Sequence, residues 1–131
     1  MKENPIDQMV SDFEKGRINP AEFSHRLHVV TAFGLLGRYP FLEASRRYTE
    51  AIQALAEKAG APGKFNLTIT LAFLSLIAER MTAMRGADVE EFLSRNEDLL
   101  ASHVLKHWYT QERLDSEPAH TQFLLPDRLA G

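Results

Sequence analysis

Apolar residues recur at helical spacing along almost the whole chain, and no stretch shows the strand-like alternation expected of a half-buried sheet. A chain with this period satisfies its backbone turn by turn and must then bury the apolar stripes of its helices against one another. The expected fold class is all-α, a single irregular helical bundle of about five to seven helices formed by one domain over 1–131. At 131 residues the chain is long enough to bury a core without disulfide or metal staples. No internal repeat recurs at a fixed period, and no low-complexity linker divides the sequence.

Local punctuation places the elements. Ile6, Met9, Val10 and Phe13 predict a short helix over Pro5 to Glu14 that stops at Gly16. Asn19 is the expected cap of a second helix, with Pro20 in its first turn, running to about Gly37. Phe23, Leu27, Val29, Val30, Phe33 and Leu36 cover most of its circumference, which marks a central element. A third helix runs from Pro40 to about Ala59, its solvated face carrying Glu43, Arg46, Arg47, Glu50 and Glu57, with Glu43 four residues before Arg47 for mutual support. The Gly60-Ala61-Pro62-Gly63 break leads to a fourth, strongly apolar helix from about Asn66 to Gly86. Asp88 to Ser94 reads as a short helix. Asn96 is expected to cap another that continues through Leu99, Leu100, Val104, Leu105 and Trp108, and a last short one spans Glu117 to Phe123.

Composition excludes several classes. Forty-four per cent hydrophobic and 25% charged residues are ordinary for a soluble globular chain, and a net charge of -3 supplies no global positive field, so no nucleic-acid partner is expected. The absence of cysteine removes disulfides, thiolate metal sites and cysteine nucleophiles, and fits a cytoplasmic setting. Residues 1–5 lack the apolar core of a secretory signal, and the longest apolar run, Leu71 to Ala78, falls far short of a bilayer span, so no membrane role is expected.

Three polar constellations stand out. His25 and His28, three residues apart, lean to one side of the second helix beside Ala32 and Leu35, where desolvation or a neighbouring carboxylate would tune their proton affinity. His103 and His107 have the four-residue spacing with which two imidazoles grip one metal from a helix, but no glutamate follows His103 as in HExxH, and a half-exposed helix end complementing its own dipole is the preferred reading. Thr68, Ala72, Ser75 and Glu79 form a polar line on the otherwise apolar fourth helix, either the wall of a polar cavity or hydroxyls bonded back to their own helix. If the second and fourth helices face each other, His25, His28, Thr68, Ser75 and Glu79 converge on one pocket, with a histidine paired to Glu79 as general base. No phosphate loop, dinucleotide fingerprint, nucleophile elbow or EF-hand occurs, so no cofactor is assigned.

The segment Phe23-Ser24-His25-Arg26-Leu27-His28-Val29 resembles the Phe-Thr-His-x-x-His-Leu segment of a family of short, functionally uncharacterised bacterial proteins. Gly63-Lys64-Phe65-Asn66-Leu67-Thr68-Ile69-Thr70 is similar to that family's Gly-Lys-Tyr-His-Glu-Thr-Leu-Thr, and Leu124-Leu125-Pro126-Asp127 to its closing Leu-Pro segment. The resemblance implies an all-helical domain with a polar cluster uniting His25, His28 and Thr68. Asn66 and Leu67 stand where that pattern has histidine and glutamate, and asparagine bonds a ligand without exchanging protons near neutrality.

The combined expectation is a small polar ligand bound in a histidine-centred pocket, with His25, His28 and Glu79 as the catalytic groups if the site is an enzyme's, and Lys64, Asn66, Thr68 and Ser75 as ligand contacts. Two alternatives stand beside it. One is a homo-oligomeric interaction module presenting Trp108, Tyr109 and Phe123; the other is a histidine-rich metal-binding protein that adds His103 or His107.

Overall fold

The computed structural model describes residues 5–101 and 103–128; residues 1–4, read above for a signal, lie outside that range. Its described residues form seven α-helices and no strand: α1 (Pro5–Glu14), α2 (His25–Arg38), α3 (Phe41–Lys58), α4 (Leu67–Ala83), α5 (Val89–Arg95), α6 (Gln111–Asp115) and α7 (Glu117–Thr121). Four short 3-10 turns lie between them, at Pro20–Glu22, Pro62–Lys64, Glu97–Leu100 and Val104–His107. No helix among the described residues is long and apolar enough to cross a membrane.

The helix ends follow from the local signals. After α1, Gly16 takes φ +69°, and the Gly16 and Arg17 amides donate back to the Phe13 and Asp12 carbonyls, a Schellman closure that a residue with a Cβ would strain. Lys58 Nζ, at the far end of α3, donates to the Gly16 and Ile18 carbonyls at 3.0 and 3.1 Å and so ties this turn to the third helix. Side-chain caps at Asn66, Asp88 and Thr110 open α4, α5 and α6.

Two expectations are corrected. The second helix is not continuous from Pro20: Asn19 caps only the 3-10 turn, the chain extends at Phe23 and Ser24, and the Ser24 hydroxyl accepts from Leu27 N–H to start α2 afresh at His25. Both imidazoles therefore sit in the first turn of α2. The helix expected after Asn96 is also absent, because the Asn96 side chain is turned back into the core, donating from Nδ2 to the Phe92 carbonyl at 2.9 Å and accepting from Arg80. With its cap withdrawn, that segment breaks into the two 3-10 turns at Glu97–Leu100 and Val104–His107.

A contiguous core runs through Val10, Phe13, Val29, Leu35, Tyr48, Leu74, Ile77, Phe92 and Leu99, each almost wholly buried and each aliphatic or aromatic side chain contributing about 1.5–3 kcal/mol of transfer free energy. The expected solvated face of α3 is more than surface decoration. Arg47 bonds Glu43 at 2.7 Å and Glu14 of α1 at 2.8 Å while its guanidinium lies 4.2 Å above the Tyr39 ring, so one half-buried cation clasps α1 and α3. Where α1 crosses α2, an ideal Cβ on Gly34 would stand 2.4 Å from Val10 Cγ2. Alanine is the better helix former by roughly 1 kcal/mol, but overpacking against a fully buried β-branched side chain exceeds that, so Gly34→Ala is expected to lose about 1–2 kcal/mol of stability. Thermal denaturation checks it: a melting temperature at or above wild type would mean Val10 turns aside freely.

Candidate functional site

The first turn of α2 and the first half of α4 face each other across a cavity of about 280 Å³. His25 and His28 enter it from α2, Tyr48 and Ile52 from α3, Asn66, Ile69, Thr70 and Phe73 from α4 and its cap. Lys64 and Phe65 from the Pro62–Lys64 turn, with Ala101, Val104 and Leu105, complete the lining. Most of this lining is apolar, and among the described residues it contains no aspartate or glutamate.

The two histidines are held differently. His25 Nε2 lies 3.0 Å from the Leu99 carbonyl, which can only accept, so Nε2 carries the proton and Nδ1 of the neutral ring is an acceptor. The same ring stands 5.6 Å from the Phe73 ring and 5.8 Å from that of His28. His28 Nδ1 is 3.2 Å from the Tyr48 hydroxyl, which also donates to the His28 backbone carbonyl at 3.4 Å, and the imidazole leans on Phe23 with ring centres 4.4 Å apart. Burial, reinforced by the like charge of His25, lowers the His28 pKa to about 4, so this ring is neutral near pH 7. Burial pushes the Tyr48 phenol up, which keeps its proton on oxygen. His28 and Tyr48 thus bring no charge to the cavity near pH 7.

Four of the seven expected site residues line this cavity: His25, His28, Lys64 and Asn66. Asn66 contributes wall more than contact, since its Oδ1 accepts from Ile69 N–H at 2.9 Å and its Nδ2 donates to the Leu114 carbonyl at 2.7 Å. Thr68, Ser75 and Glu79 are elsewhere. Thr68 is fully buried on another side of α4, donating to the Gln122 carbonyl at 2.6 Å and accepting from Leu124 N–H at 3.1 Å, so its hydroxyl fastens the extended carboxyl-terminal segment. Ser75 is half-buried outside the cavity, and Glu79 is exposed. The line of α4 that does border the cavity runs through Asn66, Thr70 and Phe73, whose four-three spacing is the same as that of Thr68, Ala72 and Ser75.

Sequence reasoning missed Tyr48, Thr70 and Phe73. Tyr48 lies on a different helix, 20 residues from His28 in sequence, and its hydroxyl needed the fold to meet that ring. His103 and His107 are exposed, on and beside a 3-10 turn instead of one face of an α-helix, and neither lines the cavity. No group of three or more histidine, aspartate or glutamate side chains among the described residues is arranged to hold a metal ion. Of the three aromatics expected at a surface, Tyr109 is buried with its hydroxyl on the Leu124 carbonyl at 2.8 Å, Trp108 packs partly against the core, and Phe123 is exposed. The carboxyl-terminal segment, pinned by Thr68, Tyr109 and Arg113, covers Tyr109.

No protein-family model, curated protein or solved structure matches this chain.

Proposed function

We propose that this protein binds a small molecule, largely apolar with a polar end, in the cavity between α2 and α4. The observation that carries this reading is the hollow itself, about 280 Å³ beside two half-buried imidazoles between packed helices. A dry cavity of roughly 150 Å³ accommodates benzene, so this one has room for about a dozen non-hydrogen atoms. Each imidazole is oriented by a fixed partner, Leu99 for His25 and Tyr48 for His28, which leaves a ring nitrogen on each without a protein hydrogen bond among the described residues. Held rings of this kind select a ligand by orientation at little further entropic loss.

Binding is a better reading than proton-transfer catalysis. Glu79, the carboxylate expected to make a histidine basic, is exposed and outside the cavity, and a His28 that protonates only near pH 4 is a weak base at neutrality. The kinship with the short helical bacterial proteins belongs to the same proposal, its two best-matched segments being those that supply His25, His28, Lys64 and Asn66 to one cavity. The test is an Ala101→Phe substitution, which enlarges a lining side chain at an extended residue and so fills the hollow. Small aromatic compounds titrated by NMR are expected to perturb His25, Ile69 and Phe73 resonances saturably in the wild type, with at least a tenfold loss of affinity in the filled variant. Equal binding by both proteins would remove the cavity from consideration.

A further inference from the structure

We infer that the ligand is a small monocarboxylic acid with an aromatic or branched aliphatic body, bound as its anion with the carboxylate at Lys64 and the body among Ile52, Phe65, Ile69 and Phe73. This inference rests on the binding reading above and adds the chemical class.

The charge inventory of the lining carries it. Among the described residues Lys64 is the one lining residue that holds a formal charge when His25 and His28 are neutral, and none of them brings a carboxylate to the lining to neutralise it. Its ammonium makes no hydrogen bond or ion pair with any described residue, although eight ion pairs among those residues occupy Arg26, Arg38, Arg46, Arg47, Arg80 and Arg95. Lys64 is exposed, so it marks the mouth; its backbone is fixed by Lys64 N–H on the Ala61 carbonyl at 3.0 Å and Phe65 N–H on the Pro62 carbonyl at 3.2 Å.

The other polar groups of the lining are mostly spent. Asn66 uses both ends of its amide within the protein, Thr70 gives its hydroxyl proton to the Asn66 carbonyl at 2.8 Å, and His25 gives its Nε2 proton to Leu99. Lys64 is therefore the principal free donor, and a ligand placing an acceptor at the mouth gains most from a negative one. A cationic amine would meet an unopposed ammonium with no carboxylate to receive it. A phosphate dianion has only one cation to answer two charges. A monoanion with an apolar body matches both the charge and the walls.

The experiment compares two probes of the same shape, 3-phenylpropionate and 3-phenylpropanamide, titrated into the full chain at pH 7 and low ionic strength. The acid is expected to bind about fivefold more tightly than the amide, the range for a partly exposed ion pair, and the preference should shrink as salt is added. Lys64→Gln is expected to bring the acid down to the affinity of the amide. An amide that binds the wild type as well as the acid, or an acid preference that survives in Lys64→Gln, overturns the carboxylate assignment and leaves the cavity reading standing. Binding of either probe that is indifferent to Ala101→Phe, or no binding of either, overturns both.

Discussion

Acidification from pH 7 to pH 4 is expected to reduce the unfolding free energy of the wild-type protein by about 2–3 kcal/mol more than that of a His28→Gln variant. In the unfolded chain the imidazole takes up its proton near the model value of 6.5; in the folded protein burial, then the like charge of His25, delays this to about 4. Between those values the unfolded state binds more protons than the native state. Stability therefore rises with pH across the window and is lost as pH falls through it. The groups around His28 offer no relief, for Phe23 and Tyr48 are uncharged, Tyr48 being held in its protonated form, and none of the described residues brings a carboxylate to the cavity.

Glutamine keeps a donor and an acceptor at that position and does not titrate, so the comparison isolates one proton. The carboxyl groups of Glu43, Asp98 and Asp127, each held low chiefly by a side-chain hydrogen bond from Arg46, Arg80 and Thr110 respectively, also lose their contribution as pH falls, but equally in both proteins. Urea unfolding at half-unit steps of pH measures the difference. Parallel curves for the two proteins would mean that His28 protonates in the native state as easily as in the unfolded one.

Replacing Asn66 by alanine is expected to lose about 2–4 kcal/mol of stability. Two separate bonds disappear. The Oδ1 bond to Ile69 N–H caps α4, a role for which alanine substitution typically removes about 1 kcal/mol. The Nδ2 bond to the Leu114 carbonyl joins α4 to α6, and because Asn66 and Leu114 are only 8% and 5% exposed, the abandoned carbonyl has little water to turn to and adds about 1–3 kcal/mol. Asn66→Ser separates the two, since serine retains a capping oxygen but lacks the reach and the donor; it should recover about 1 kcal/mol of the loss. Guanidinium unfolding of the three proteins gives the ranking directly. A loss below about 1 kcal/mol for alanine would show that the Leu114 carbonyl finds another donor. The result also bears on ligand studies, because weakened binding in an Asn66 variant reflects a damaged wall before it reflects a lost contact.

Much of the helical layout was legible in the sequence because its causes are local. Ile6, Val10 and Phe13 with the stop at Gly16, the break at Gly60, and the caps Asn66 and Asp88 act within a few residues of themselves, and α1, α3, α4 and α5 start and end close to where those signals stand. Ambiguity entered where local signals compete. Asn19 and Ser24 are both good caps, and the structure uses both, so the segment divides; Asn96 is a good cap on paper, but Phe92 and Arg80 claim its side chain.

The candidate site was half legible for a geometrical reason. α2 has its imidazoles in one turn, so any arrangement that exposes that turn to a neighbour brings His25 and His28 together. α4 is apolar on nearly every side, and its two polar lines, through Asn66 and Thr70 or through Thr68 and Ser75, have identical spacing while lying about 200° apart around the axis. A pattern of hydrophobicity specifies that such a helix is buried and carries no information about its rotation. Helical class, the limits of α1, α3, α4 and α5, and the histidine pair were legible in the order of residues alone. Which face of α4 met α2, and hence that Thr70 and Phe73 border the cavity while Thr68 anchors the carboxyl-terminal segment, was decided by packing among distant elements, where shape complementarity and the pairing of buried hydrogen-bonding groups select one rotation from several that are equally hydrophobic.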